Sequence, residues 1–112
     1  MKLITAVVKP EKLDDVVRVV AENGGRGLTA TEVVGFGQQF GHYAAAVSAD
    51  QSALVLPKVR VDVLAQDEMA EALTGAIAKA VNTGCIGDGK IWVCPVETAL
   101  RVRTGERDRA AV

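Results

Sequence analysis

The sequence predicts an α+β fold in which two helices cover one side of an antiparallel sheet, with elements in the order β-α-β-β-α-β. Three observations carry this expectation. Apolar, β-rich runs such as "KLITAVV" and "KVRVDVL" read as strands, two intervening stretches repeat apolar residues at helical spacing, and the two halves of the chain follow the same strand-then-helix plan. A length of 112 residues suits a single domain spanning 1–112.

The elements follow in order. "KLITAVV" supplies the first strand. "PEKLDDVVRVVAENGG" then sets Leu13, Val16, Val17 and Val20 on one helical face, with Pro10 fit for a first helical position and Gly24 for a C-terminal cap. "TATEVVGFG" is the second strand. In "KVRVDVL", Val59, Val61 and Val63 share one face while Arg60 and Asp62 share the other, so this is a half-buried third strand. The second helix repeats Met69, Leu73, Ile77, Ala80 and Val81 on one face, with Asp67 as its expected N-cap and Gly84 just past its end. "KIWVCPV" is the fourth strand. This order reads as a ferredoxin-like sandwich, an architecture that hosts many functions, so function has to be argued from sites.

Composition narrows the classes. Thirteen basic residues against fourteen acidic ones, a net charge of −1 and 4% aromatics disfavour a nucleic-acid surface, including an RNA-recognition sheet that needs exposed rings. No uninterrupted apolar stretch approaches the ~20 residues that cross a bilayer, so direct membrane insertion is not expected. The start, "MKLITAVVKPEKLDDVV", has no long apolar core with a cleavage site, so the expected location is cytoplasmic. Cys85 and Cys94 belong to no CxxC or Cys/His cluster and are expected as apolar fillers, without a disulfide or zinc.

The candidate sites fall in connections. A long loop of about 37–57, "GQQFGHYAAAVSADQSALVLP", is too extended for an ordinary hairpin turn; composition leaves a surface insertion and a functional loop equally open. Its stems carry Gly35 and Gly37, which let backbone approach a ligand, and Lys58 after Pro57, a fixed cation. Ahead of the fourth strand, "GDGK" at 87–90 is no Walker A loop, and by itself reads as a tight turn. Beyond that strand, Arg101 and Arg103 alternate with Val102 in "ALRVRTGER", so both guanidinium groups are expected on one face of an extended segment. Lys90, Arg101 and Arg103 beside the amides of Gly87 and Gly89 would form a polyphosphate cradle; a charged, solvated edge strand is the competing reading.

These segments resemble the PII nitrogen-regulatory signal-transduction proteins over nearly the whole chain. The likeness is carried by "MKLITAVVKPEKLDDV", "TEVVGFGQQFGH", "LPKVRVDVL" and above all "TGCIGDGKIWVCPVETALRVRTGE". It implies a homotrimer that binds ATP or ADP competitively in clefts between neighbouring subunits and controls a partner protein, a transporter or an enzyme of nitrogen or carbon metabolism, through its long loop. Carried over residue by residue, it implies phosphate contacts at Gly37, Gly87, Asp88, Gly89, Lys90, Arg101 and Arg103. The base and ribose side falls on Gly27, Thr29, Gly35, Phe36, Asp62 and Leu64, with Gln38 completing the nucleotide set. It also implies 2-oxoglutarate bound through Gln39 and Lys58, beside a Mg ion held by the Gln39 carbonyl and the nucleotide phosphates, in keeping with the oxygen preference of that ion.

The sequence departs from the family in its loop. Gln38 and Phe40 replace basic residues that flank the effector glutamine, Gln51 stands where many members carry a modified tyrosine, and Val47 replaces an arginine that enters a channel pore. Ser48 and Ser52 read as solvating residues, and His42 and Tyr43 as packing groups at the loop base. The expectation is a non-catalytic effector sensor whose loop stays unmodified. The alternative is an enzyme hydrolysing nucleotide in the same cleft, against which stands the lack of a placed general base or activated nucleophile beside the arginines.

Overall fold

The structure, a computed structural model, describes residues 1–37 and 55–112. The elements are β1 (Lys2–Val8), α1 (Leu13–Glu22), β2 (Thr29–Gly35), β3 (Leu56–Ala65), α2 (Asp67–Val81) and β4 (Gly89–Pro95). This is the expected α+β, ferredoxin-like order. The strands form one antiparallel sheet in the order β2-β3-β1-β4. Residues 38–54, which include Gln38, Gln39, Phe40, His42, Tyr43, Val47, Ser48, Gln51 and Ser52, lie outside the described residues.

The core lies between the sheet and the helices. Ile4, Ala6 and Val8 alternate on one face of β1 and pair across it with Val63, Val61 and Val59 of β3, and all six are buried. From α2 come Ala70, Leu73, Ile77 and Val81, and from α1 Val16, Val19 and Val20. The strict period-2 pattern of β3 thus puts its valines inward and Arg60 and Asp62 on the opposite, open face. Asp14 and Asp15 in the first turn of α1, and Asp67 and Glu68 in that of α2, place negative charge where the helix dipole favours it.

Several expectations need correction. Val17 is 44% exposed, and Val19 takes its place in the core. Pro10–Lys12 form a 3-10 turn ahead of α1, and the stripe that α1 buries, Val16, Val19 and Val20, is set by what the helix packs against. Asp67 is not the N-cap of α2: Gln66 is, without a side-chain capping bond, and Asp67 instead pairs with the N-terminal amine of Met1 at 2.8 Å. β3 begins at Leu56, so Leu56 and Pro57 belong to the strand rather than to the expected loop. Cys85 and Cys94 are exposed free thiols rather than apolar fillers: Cys85 lies in the connection between α2 and β4, and Cys94 on the open face opposite Leu3.

Candidate functional site

Among the described residues, the open face of the sheet carries a depression at each end of β1. Register explains both. Antiparallel pairing sets Val7 opposite Lys90 and Val33 opposite Lys58 at one end, and Leu3 opposite Leu64 and Thr29 opposite Asp62 at the other. Val7 and Leu3 are four residues apart, a separation of roughly 13 Å along an extended strand.

The first depression, about 600 Å³, is lined by Phe36, Gly37, Lys58 and the loop that ends in Gly87, Asp88, Gly89 and Lys90. Gly87 and Gly89 have φ of +102° and +111°, a region where a side chain is strained. At Gly89 a Cβ would also lie 1.9 Å from the Val7 carbonyl oxygen, so only glycine lets the loop lie this close to β1. Lys58 is buried and its Nζ donates to the Gly87 carbonyl at 2.9 Å. Burial pushes its ammonium group below the ordinary lysine value and nearby Lys9 adds to this, while Glu11 and Asp88 pull the other way.

The Asp88 side chain turns back into its own loop. Oδ1 accepts from the Thr83 hydroxyl, and Oδ2 accepts from the backbone N–H groups of Thr83 at 2.7 Å and Gly84 at 3.0 Å. Lys9 Nζ lies 3.5 Å from Oδ1. The Thr83 hydroxyl and backbone bonds, with help from Gly84 and Lys9, hold this carboxyl down to about 2.

The second depression, about 440 Å³, is lined by Leu3, Gly27, Thr29, Asp62, Leu64 and Arg101, with the C-terminal residues Ala111 and Val112 alongside. Asp62 is fixed on its floor by donors on both sides: Thr5 Oγ1 at 2.7 Å to Oδ1 and Arg60 Nε at 3.0 Å to Oδ2. Burial works against its ionisation, yet the bonds from Arg60 and Thr5 hold its carboxyl below the ordinary value.

The cradle expected from Lys90, Arg101 and Arg103 does not assemble within one chain. Arg101 lies at the far depression, where it pairs with Glu106 at 3.0 Å and donates to the Ala111 carbonyl at 3.5 Å. Residues 102–104 form a turn rather than an extended segment, closed by the Gly105 N–H on the Arg101 carbonyl at 2.8 Å, and exposed Arg103 lines neither depression. Gly35 and Phe36, expected on the base and ribose side, sit at the Lys90 end, with Gly35 opposite Leu56 in the ladder.

A family model for nitrogen regulatory protein P-II matches residues 1–106. The chain belongs to the PII family. Among its relatives, nitrogen regulatory protein GlnK of Escherichia coli (strain K12) is 46% identical over 112 residues, covering all of both chains. Nitrogen regulatory protein P-II of Azospirillum brasilense is likewise 46% identical, and nitrogen regulatory protein P-II 1 of Escherichia coli (strain K12) 45%, each over the full length of both chains. These relatives are named as regulators, and this PII chain is a signal-transduction regulator.

Sequence reasoning missed several neighbours of these depressions. Lys9 meets Asp88 because β1 and β4 run antiparallel, with Val8 opposite Gly89; the end of the first strand beside the start of the fourth was the available signal. Thr83 holds Asp88 across five residues, and Thr5 and Arg60 orient Asp62. Ala111 and Val112 reach the second depression only through the fold of the C-terminal segment, for which the sequence carries no periodic signal. Among the described residues no group of three or more His, Cys, Asp or Glu side chains is arranged to hold a metal ion, and no helix is long and apolar enough to cross a membrane.

Proposed function

We propose that this PII chain is a cytoplasmic, non-catalytic sensor that binds ATP or ADP as a homotrimer and passes the result to a partner protein. The observation that carries this reading is the division of the open face. The Lys90 depression has lysines and glycine backbone suited to phosphates, whereas the Asp62 depression has a carboxylate, a threonine and apolar Leu3 and Leu64 suited to a ribose and base. One chain separates them, so a nucleotide spans the Lys90 end of one subunit and the Asp62 end of its neighbour. Arg101 and Arg103 of that neighbour then reach the phosphates. Half-exposed Leu64 and Trp92 on the open face, with Leu3 between them, give neighbouring copies apolar area to bury.

The described residues fit such a ligand through Lys58, Lys90 and the Gly87–Lys90 backbone. When bound, Mg would be held by Gln39 and the nucleotide and would offset phosphate charge, and Gln39 and Lys58 would hold 2-oxoglutarate. Lys58 would exchange the Gly87 carbonyl for a carboxylate. Residues 38–54 carry the output to a transporter or enzyme of nitrogen or carbon metabolism.

Calorimetric titration with ATP, ADP, and 2-oxoglutarate in the presence of Mg–ATP tests the reading, together with light scattering for the assembly. ATP and ADP are expected to compete, and 2-oxoglutarate to bind with Mg–ATP but not with ADP. A monomer that binds neither nucleotide would refute it. Multiple-turnover phosphate release would refute the non-catalytic assignment.

A further inference from the structure

We propose that the Asp88 carboxylate is a positioning group of the phosphate half-site: it pins the 83–90 loop from behind, so that the Gly87 carbonyl meets Lys58 and the Gly89–Lys90 backbone faces the depression, without itself touching ligand. The inference rests on the nucleotide reading of that depression and assigns Asp88 a role opposite to a direct phosphate contact.

Three features of the loop carry it. First, the carboxylate is already engaged on both oxygens: Oδ1 by the Thr83 hydroxyl and Lys9, Oδ2 by the N–H groups of Thr83 and Gly84. A bare carboxylate in this place would repel phosphate; one surrounded by three donors and a lysine ammonium presents little negative potential to the depression. Second, the loop is intrinsically free, and apart from Asp88 the described residues hold it mainly through the Gly84 N–H on Asn82 Oδ1 at 2.8 Å, the Cys85 N–H on Thr83 Oγ1 at 3.3 Å and Lys58 on the Gly87 carbonyl. Gly84, Gly87 and Gly89 all have positive φ, and glycine loses more conformational freedom on ordering than any other residue. The bonds from Asp88 to Thr83 and Gly84 close the loop across four and five residues, joined by the Asp88 N–H on the Cys85 carbonyl at 3.4 Å. Third, the clamp is coupled to the ligand side through one peptide: Gly87, next to Asp88, accepts the buried Lys58 ammonium group at 2.9 Å. Loosening Asp88 therefore moves a glycine backbone and a lysine in the depression together. The low pKa of Asp88 agrees with a group whose ionised form is held by donors.

The test compares ATP and ADP affinity, each with Mg and with EDTA, in the wild type, Asp88→Asn, Thr83→Val and Thr83→Ser. Asparagine keeps the size of the side chain but replaces one acceptor oxygen with a donor. Removing a partner that orients a binding group from behind typically costs about 10-fold to 100-fold in affinity. Asp88→Asn is expected to weaken both nucleotides by a factor in that range whether or not Mg is present, and to accelerate amide hydrogen exchange over 83–87 in the free protein. Thr83→Val should lose affinity likewise, Thr83→Ser should restore it, and the Asp88→Asn/Thr83→Val pair should cost less than the sum of the two. A loss confined to Mg–ATP would mean that Asp88 contacts the metal, and unchanged affinity with unchanged exchange would mean no clamp; either overturns the proposal. Failure of the wild type itself to bind nucleotide would instead refute the reading of the site, and the exchange rates of 83–87 would still decide whether the clamp exists. If Asp88→Asn does not fold, the Thr83 variants carry the same comparison.

Discussion

Gly89→Ala should damage the protein at the one place where the site and the sheet share an atom-scale constraint. Gly89 opens β4 with φ of +111°, and a Cβ there would lie 1.9 Å from the Val7 carbonyl oxygen and 3.0 Å from its carbon. Two penalties follow. Holding an L-residue at positive φ costs about 1–3 kcal/mol. Relieving the overlap requires the Val7 backbone or the start of β4 to move, which by analogy with overpacked cores costs roughly another 1–3 kcal/mol. The sum, about 2–6 kcal/mol, is a large share of the roughly 5–15 kcal/mol that holds a typical domain together. Urea unfolding followed by circular dichroism, at one fixed protein concentration because the proposed assembly would contribute to stability, reads the effect as a lower midpoint. Gly75→Ala is the control. Gly75 lies inside α2 with open space around the new methyl, so that change should stabilise by about 0.5–1 kcal/mol. A Gly89→Ala protein within about 0.5 kcal/mol of wild type, where ordinary surface substitutions fall, would refute the reasoning, as would the same sign for both variants.

Lys90→Ala should weaken ATP by roughly 1.5–3 kcal/mol through loss of a charge-assisted phosphate contact, measured by calorimetry; unchanged affinity would remove Lys90 from the site. Leu73→Ala, at a fully buried position of α2, should cost about 2–5 kcal/mol in urea unfolding with little change in nucleotide affinity. Acid should release the loop clamp. The folded pKa of Asp88 is depressed from 3.8 to about 2, so its contribution is present above pH 4 and is lost as pH falls from about 4 toward 2. Denaturant midpoints across that window should fall less steeply for Asp88→Asn than for wild type, and parallel curves would contradict this.

The strands were legible because their signal is local. Strict alternation in 59–63 decides which face of β3 is buried, and burial follows it residue by residue. The inward face of α2 was legible for the same reason, with Leu73, Ile77 and Val81 all in the core. Where a neighbour intervenes, the local pattern misleads. The packing of α1 in the core turns Val17 outward and Val19 inward, and the open face of the sheet leaves apolar-looking Cys94 exposed. Alternation at 101–103 suggested a strand, but Thr104 and Gly105 close a turn that keeps Arg101 with Glu106. The glycines and Lys90 of the site stood out by residue type. Their supports did not: Lys9, Thr83 and Thr5 are ordinary in sequence and acquire roles only when β1 is paired with β3 and β4. Likewise nothing in the order of residues tells that Lys90 and Arg101 end up at opposite depressions, because that depends on where the C-terminal segment folds back.

A subunit-mixing experiment tests the shared cleft most directly. Lys90→Ala removes the phosphate half-site and Arg101→Ala the opposite one, so each variant alone should bind ATP weakly at every cleft. Unfolding the two together and refolding them as mixed trimers brings an intact Lys90 end against an intact Arg101 end in some clefts. The account predicts that calorimetry of the mixture recovers a population of sites with wild-type ATP affinity that neither parent shows. A mixture that binds no better than its parents, although native mass spectrometry shows mixed assemblies, would contradict a site built from two subunits.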